Sequence, residues 1–549
     1  MKNTFVIITI LLLSVSCKQK ELPVVFSVVD ESSEIMEQQN HELERMKFKL
    51  IQSNYLDMNS VFKPFENYLA YFSEKDYQNL LPYIIEKDIP SIQESVANGI
   101  LSYEKIVLFY LYRIRKFESN NNLALHSIIA LNPNVIEEAK EKDKNRPKET
   151  KYTLYGLPIL LKDNINTIGM PTTAGAFALK ENNTTDDAFI VKKLKENGAL
   201  ILGKANLSEW AYYFCDGCPV GYSAIGGQTL NPYGRKIFET GGSSSGSGVS
   251  VAVNYAVAAV GTETSGSILS PSSKSSVVGL KPTVGLLSRT GIVPISSTLD
   301  TPGPMTKSVI DNAIFLAAMT GEDALDITTL NIKSDVEYLK DLNSLTIKGK
   351  RLGVIKELLS DSIYKKNVDL LKNAGAILIE FEPQKLQLNG FLTLLNIDMK
   401  YDLPKYLSKY ADKSLKIKSI EDIIQINLQD SLKRAPYGQQ LFIGIVNDST
   451  TQDEFAIVKN NLNTTGKLFF DKPMAEYNLE AILSINNYHA GFAAVAKYPC
   501  LTVPMGYEKS GEPISLTFIA KPFQEKELLQ LGYAFEQISK VRKLPVNYN

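Results

Sequence analysis

Glycine and serine are densest between residues 241 and 276, and within that run Gly242-Ser243-Ser244-Ser245-Gly246 matches G-x-S-x-G, the pattern of a nucleophile elbow. A serine attacks a carbonyl only when a neighbouring base takes its proton, and the usual base is histidine. Histidine is scarce here: His41 falls in the N-terminal region, His126 precedes the first expected strand, and His489 alone is placed near a C-terminal sheet. A lysine can serve as base if it is uncharged, and burial away from water favours that form. Lys162 follows the apolar run 157–161, a dry setting for such a lysine. The elbow reading also requires a strand before the serine and a later Asp/Glu and His. Residues 235–240 make a weak strand, so this is the poorer reading.

Cysteine offers less. Cys215-Asp216-Gly217-Cys218 is a lone C-x-x-C; a zinc site would need two more ligands, which three scattered histidines do not supply. A local Cys215–Cys218 disulfide and two free thiols both stay open, and no metal or cofactor is expected.

These residues need elements to position them. From about residue 89 the pattern alternates strand and helix, which predicts a large, mixed, mostly parallel sheet covered by helices on both faces. Residues 157–161 form a strand that delivers Lys162 at its end. Residues 249–255 form a helix, capped by Ser245 or Ser247. Residues 256–261 read as a buried strand, followed by a turn over 262–266. Further strands are expected at 127–131, 199–203, 351–355, 376–381, 501–504 and 514–518. The stretch 389–475 is irregular, aromatic and helical; its aromatic residues, Tyr437 and Phe442 among them, are read mainly as core packing, with a cleft lining as the alternative.

Three segments taken together carry a resemblance: Tyr155-Gly156-Leu157-Pro158-Ile159-Leu160-Leu161-Lys162-Asp163-Asn164, then Gly241-Gly242-Ser243-Ser244-Ser245-Gly246-Ser247-Gly248, then Gly261-Thr262-Glu263-Thr264-Ser265-Gly266-Ser267-Ile268. In this order they resemble the amidase signature family, over residue 90 to the C-terminus. Asn206-Leu207-Ser208-Glu209-Trp210 and Gly226-Gly227-Gln228-Thr229 are similar to its bacterial peptide amidases. The resemblance implies a serine amidohydrolase working through an acyl-enzyme, with Ser267 as nucleophile, Ser243 as the bridging serine behind a cis peptide bond, and Lys162 as base. Ser243 and Ser267 lie 24 residues apart, the family's usual separation. It also implies an oxyanion loop over Thr264, Ser265, Gly266 and Ser267, and C-terminal peptide amides as the first-choice substrate. The chain departs from the common form at Glu263, Ser265 and Leu269, where the family has Asp, Gly and Arg.

Composition narrows the alternatives. Hydrophobic residues at 44 % and charged residues at 22 % are ordinary for a globular chain. A formal net charge of −1 gives no basic face for nucleic acid. Lys2, the apolar run 5–15 and Ser14-Val15-Ser16-Cys17 read as a signal segment of the lipoprotein type. The expected organisation is therefore a signal over 1–17, a helical extension over 18–88 and a catalytic domain over 89–549. Cys17 would anchor an exported, periplasmic or cell-envelope protein to the membrane. An amidotransferase delivering ammonia to charged tRNA is a rival that the signal segment and the missing basic face oppose. A catalytically silent binding lipoprotein is another, kept alive by Ser265.

Overall fold

A computed structural model describes residues 24–330, 337–344 and 346–549. Eleven strands form one sheet among them: β1 (Ile128–Leu131), β2 (Pro158–Lys162), β3 (Leu200–Ala205), β4 (Ala258–Glu263), β5 (Val278–Lys281), β6 (Thr301–Thr306), β7 (Arg351–Ile355), β8 (Ile377–Phe381), β9 (Ala481–Ile485), β10 (Cys500–Tyr507) and β11 (Pro513–Ile519). Their order is β1-β3-β2-β4-β6-β5-β10-β11-β9-β7-β8. The sheet is mixed, as expected. Parallel pairing joins β3-β2-β4 and β9-β7-β8, near the two flanks; the strands between are antiparallel neighbours. Parallel neighbours need a long crossover, and these flanks are where the strand–helix alternation is plain in the sequence.

β2 and β4 are buried along their whole length. Their register pairs Leu160 with Ala259 and Leu161 with Val260. One step further, Lys162 comes beside the end of β4, where Thr262 and Glu263 lead into the 264–267 loop. The strand pairing alone therefore sets the candidate base against the segment that carries the candidate nucleophile.

Helices cover the sheet. Those used below are α1 (Tyr103–Glu118), α2 (Ser245–Ala252), α3 (Leu269–Lys274), α4 (Phe391–Lys409), α5 (Gln452–Tyr477) and α6 (Ala490–Ala496). All eight residues of α2 are buried, and its glycines explain how. A Cβ on Gly246 would stand 2.5 Å from the backbone of Asn206, and one on Gly248 would stand 2.9 Å from Pro271 O. The expected serine caps are not there: Ser245 is already the first helical residue, and its hydroxyl donates to Gly241 O at 2.7 Å. The Ser247 hydroxyl donates to Val260 O at 3.1 Å, tying α2 to β4 instead.

The N-terminal extension is helical and shares the main core, through Phe48, Ile51, Phe65 and Tyr77. Arg113 on α1 is fully buried and binds three distant parts of the chain: its guanidinium donates to Val253 O at 2.8 Å, to the Tyr77 hydroxyl and to Tyr548 O. A buried guanidinium is tolerated only with its donors paired, so this one residue ties the extension, the end of α2 and the C-terminus together. The aromatic middle packs as a second core. Phe442 is buried against Trp210 and Phe214, and the Tyr437 hydroxyl accepts from Lys49 N at 2.7 Å, so the packing reading holds for both. The expected signal and the Cys17 anchor lie outside the described residues.

Candidate active site

Lys162 ends β2 with its whole side chain buried. Its Nζ lies 2.7 Å from Ser243 Oγ, 2.9 Å from Thr262 Oγ1 and 3.2 Å from Thr262 O. No carboxylate lies within ion-pair distance of it among the described residues. Burial pulls its proton affinity down to about 7, against the weaker opposing pull of Asp300 and Glu263. This lysine is therefore uncharged for a useful fraction of the time at neutral pH, which the ordinary side chain is not. Asn164 steadies the arrangement by donating to Thr262 Oγ1 at 3.0 Å.

Ser243 follows a cis Gly242–Ser243 peptide bond and is fully buried. Its carbonyl accepts from Ser208 N at 3.0 Å. The two glycines before it are required by space. Gly241 has φ +63°, and a Cβ there would meet the Ser270–Pro271 backbone at 2.7 Å; a Cβ on Gly242 would stand 2.5 Å from Val220 Cγ1.

Ser267 sits in the loop between β4 and α3. Its carbonyl accepts from Ser244 N at 3.1 Å, so a backbone bond links the two serine segments directly. At 9 % exposure it is more open than Lys162 or Ser243, both at 0 %. A group that must meet substrate needs that opening. Among the described residues the Ser267 hydroxyl has no hydrogen-bond partner, and the structure draws no Ser243–Ser267 hydroxyl bond.

Glu263 organises the loop. One carboxylate oxygen accepts from Gly266 N at 2.7 Å; the other accepts from Ile268 N at 2.7 Å and Leu269 N at 3.0 Å. The Gly266 N–H is therefore committed and leaves the expected oxyanion set. The N–H groups of Thr264, Ser265 and Ser267 make no hydrogen bond among the described residues. The Thr264 hydroxyl donates to Asp300 at 2.5 Å, and Asp300 also accepts from Ile295 N and Ser296 N at 2.8 Å each. Burial outweighs these bonds and raises the Asp300 carboxyl to about 6.

The elbow reading fails on geometry. Among the described residues no strand leads directly into Gly242, and Ser244, the serine in the middle of the motif, has its hydroxyl committed to Thr262 O at 3.0 Å and Thr262 N at 3.2 Å. Of the histidines, His126 is half-buried and His489 buried; desolvation pushes the proton affinity of each down to about 4, and His489 binds the Ser484 hydroxyl.

A scaffold of strand, cis serine, buried lysine and carboxylate-braced loop is what the three sequence segments together describe. A family model described as Amidase matches residues 105–457. The chain belongs to the amidase family. An amidase family protein from Bacillus anthracis is 39 % identical, with a TM-score of 0.85 over 90 % of this chain and 99 % of that one. A peptide amidase from Stenotrophomonas maltophilia is 35 % identical, with a TM-score of 0.80 over 85 % of this chain and 99 % of its own. A probable amidase from Arabidopsis thaliana is 35 % identical over 479 residues, 83 % of this chain and 92 % of that protein.

For an amidase scaffold, the residues that sequence reading missed form the layer behind the lysine. Lys204 on β3 and Asp163 are an ion pair at 3.2 Å with both side chains fully buried. Burial is the largest influence on each, raising Asp163 and lowering Lys204, each partly offset by the other's charge. Lys204 also donates to Ile165 O at 2.7 Å and to Thr172 Oγ1 at 2.9 Å, and Asp163 accepts from Thr173 N at 3.1 Å. This pair fixes the turn that follows Lys162. Breaking such a pair by removing one partner typically costs about 3–5 kcal/mol. A signal existed: Lys204 lies inside an otherwise apolar strand, as Lys162 does. Cys215 and Cys218 are joined as a disulfide, which settles the alternative left open by their spacing.

Proposed function

We propose that this amidase hydrolyses carboxamides through an acyl-enzyme on Ser267, with Ser243 relaying protons to and from Lys162. The observation that carries the proposal is the 2.7 Å contact between a buried, carboxylate-free Lys162 amine and Ser243 Oγ. Ser267 Oγ bonds to the carbonyl carbon as its proton passes to Ser243 and the Ser243 proton passes to the Lys162 amine. The oxyanion is held by the uncommitted N–H groups of Thr264, Ser265 and Ser267. The C–N bond then breaks, and the leaving ammonia or amine takes a proton back from Lys162 through Ser243. Water attacks the Ser267 ester by the same relay and releases the acid. The Ser243–Ser267 contact is the step that substrate must tighten, as catalytic hydrogen bonds commonly do on binding.

The first-choice substrate is a C-terminal peptide amide, supported by the likeness to the Stenotrophomonas peptide amidase. A panel of peptide amides, fatty amides and aryl amides, assayed for released ammonia or amine, tests this. The highest kcat/KM is expected on peptide amides; a clear preference for either other class would overturn the assignment. We propose further that the protein is exported and lipid-anchored at Cys17, and the Cys215–Cys218 disulfide supports an oxidising compartment. In a bacterial host, labelled palmitate is expected on the wild-type chain and not on Cys17→Ser. Equal labelling of both would reject the anchor.

A further inference from the structure

Behind the 264–267 loop, a cavity of about 670 Å³ opens between α5, α6 and the residues around Leu299. Three lysines line it: Lys459 and Lys467 on α5, and Lys497 just past the end of α6. Lys459 and Lys467 are eight residues apart, so they share one side of α5, about 12 Å apart along its axis. Asn463 between them donates to Val495 O at 2.8 Å, which holds α5 and α6 together and keeps Lys497 on the same cavity.

Lys459 and Lys497 are half-buried, and Lys467 stands exposed at the mouth of the cavity. Here, none of the three has a carboxylate within 4.0 Å among the described residues. The carboxylate whose charge acts on Lys497 is Asp398, and it is already taken: it accepts from the Ser296 hydroxyl and from Thr298 N at 3.2 Å. Arg289, the other cation acting on Lys497, is paired with Asp326 at 2.7 Å. Lys497 is half-buried; burial lowers its proton affinity, and the charges of Lys459, Arg289 and Lys467 lower it further. The helix dipole accounts for one cation at the end of α6 but for neither lysine in the body of α5. Like charges that face one cavity with no carboxylate beside them make its interior positive and favour an entering anion.

We propose that this cavity is a binding site for a small polyanion bearing carboxylate or phosphate groups, held by Lys459, Lys467 and Lys497. The site communicates with the candidate active site at two points. Leu299 lines the cavity, and the next residue, Asp300, holds the Thr264 hydroxyl. α6 runs from the cavity to the loop: a Cβ on Gly491 in its first turn would lie 3.9 Å from Ser265 Oγ. Seven residues of helix separate the two, about 10 Å. The anion is thus either an acidic group carried by the amide substrate or a free effector, and the two share the same chemistry.

The binding experiment does not depend on catalysis. Citrate and inorganic phosphate are titrated into the full chain by calorimetry, against sodium chloride at matched ionic strength. Saturable binding at one site is expected for at least citrate. Lys497→Gln should weaken it at least tenfold, and the triple variant Lys459→Gln/Lys467→Gln/Lys497→Gln should abolish it, with an unchanged circular dichroism spectrum. Lys365→Gln, an exposed lysine on another helix, should bind as wild type. No saturable heat beyond chloride, or full binding by the folded triple variant, overturns the site. Kinetics then separate the sources. Citrate that raises KM for a neutral amide at constant kcat marks a group of the substrate; citrate that changes kcat marks an effector.

Discussion

Ser267→Ala is expected to lower kcat/KM by about four orders of magnitude or more, the scale seen when the nucleophile of a serine hydrolase is removed. The reason is positional. Four serines crowd this site, yet Ser243, Ser244 and Ser245 are fully buried and the last two spend their hydroxyls on Thr262 O and Gly241 O. Of these four, Ser267 alone combines an opening to solvent, an unengaged hydroxyl and a place beside free N–H groups; Ser265 in the same loop is also open and unengaged, but only Ser267 is bonded through its backbone to Ser244, next to the Ser243 relay. A fluorophosphonate probe should therefore label the wild-type chain and fail on Ser267→Ala, while Ser244→Ala stays labelled. Because the hydroxyl has no partner, its loss should leave the melting temperature unchanged, so the kinetic defect cannot be attributed to unfolding. In the proposed relay the three groups act as a unit, so adding Lys162→Met to Ser267→Ala should cost little more. Probe labelling that persists in Ser267→Ala would assign the nucleophile elsewhere. No labelling of the wild-type chain would favour a silent binding protein on this fold.

Much of this arrangement is legible in the residues, and the exceptions have physical causes. The apolar run before Lys162 and the buried run before the 262–266 turn correspond to β2 and β4, because a fully buried strand writes an unbroken apolar word into the sequence. β6 is the opposite case. Its sequence, Thr301-Pro302-Gly303-Pro304-Met305-Thr306, carries two prolines and a glycine, which argue against an interior strand. It nevertheless pairs on both sides, with Val260 opposite Pro304 and Thr262 opposite Pro302. Tertiary context overrides propensity there, and Gly303 is needed because a Cβ would stand 2.2 Å from Leu280 O. The proposed triad is visible only as three segments read jointly, since a lysine or a turn serine alone carries no information. What sequence could not weigh was partnership. Gly266 lies in the expected oxyanion loop, yet only coordinates reveal that its N–H is given to Glu263, and only they separate Lys162 from Lys204.

That separation sets up the second large effect, Lys162→Met. Both lysines are fully buried, but Lys204 faces Asp163 and touches no serine, whereas Lys162 faces Ser243 and no carboxylate. Lys162 can therefore lose its proton near neutrality, and its proton affinity of about 7 against an ordinary 10.5 raises the uncharged fraction at pH 7 by about three orders of magnitude. Lys162→Met, which keeps length and removes the amine, is expected to lower kcat by about 10³-fold or more. In the wild type, kcat/KM should rise with pH through about 7 and level off above about 8, because the proposed relay needs the uncharged amine. The sign for stability follows from the same lowering. The unfolded chain binds the Lys162 proton more tightly than the folded one, so this residue makes wild-type stability increase as pH rises from about 7 toward 10.5. The methionine variant lacks that slope, so a plot of the melting-temperature difference, wild type minus variant, should climb over the same interval. A wild-type rate that is flat from pH 5 to 9, together with a melting difference that ignores pH, would mean that Lys162 stays charged and that another group takes the proton from Ser267.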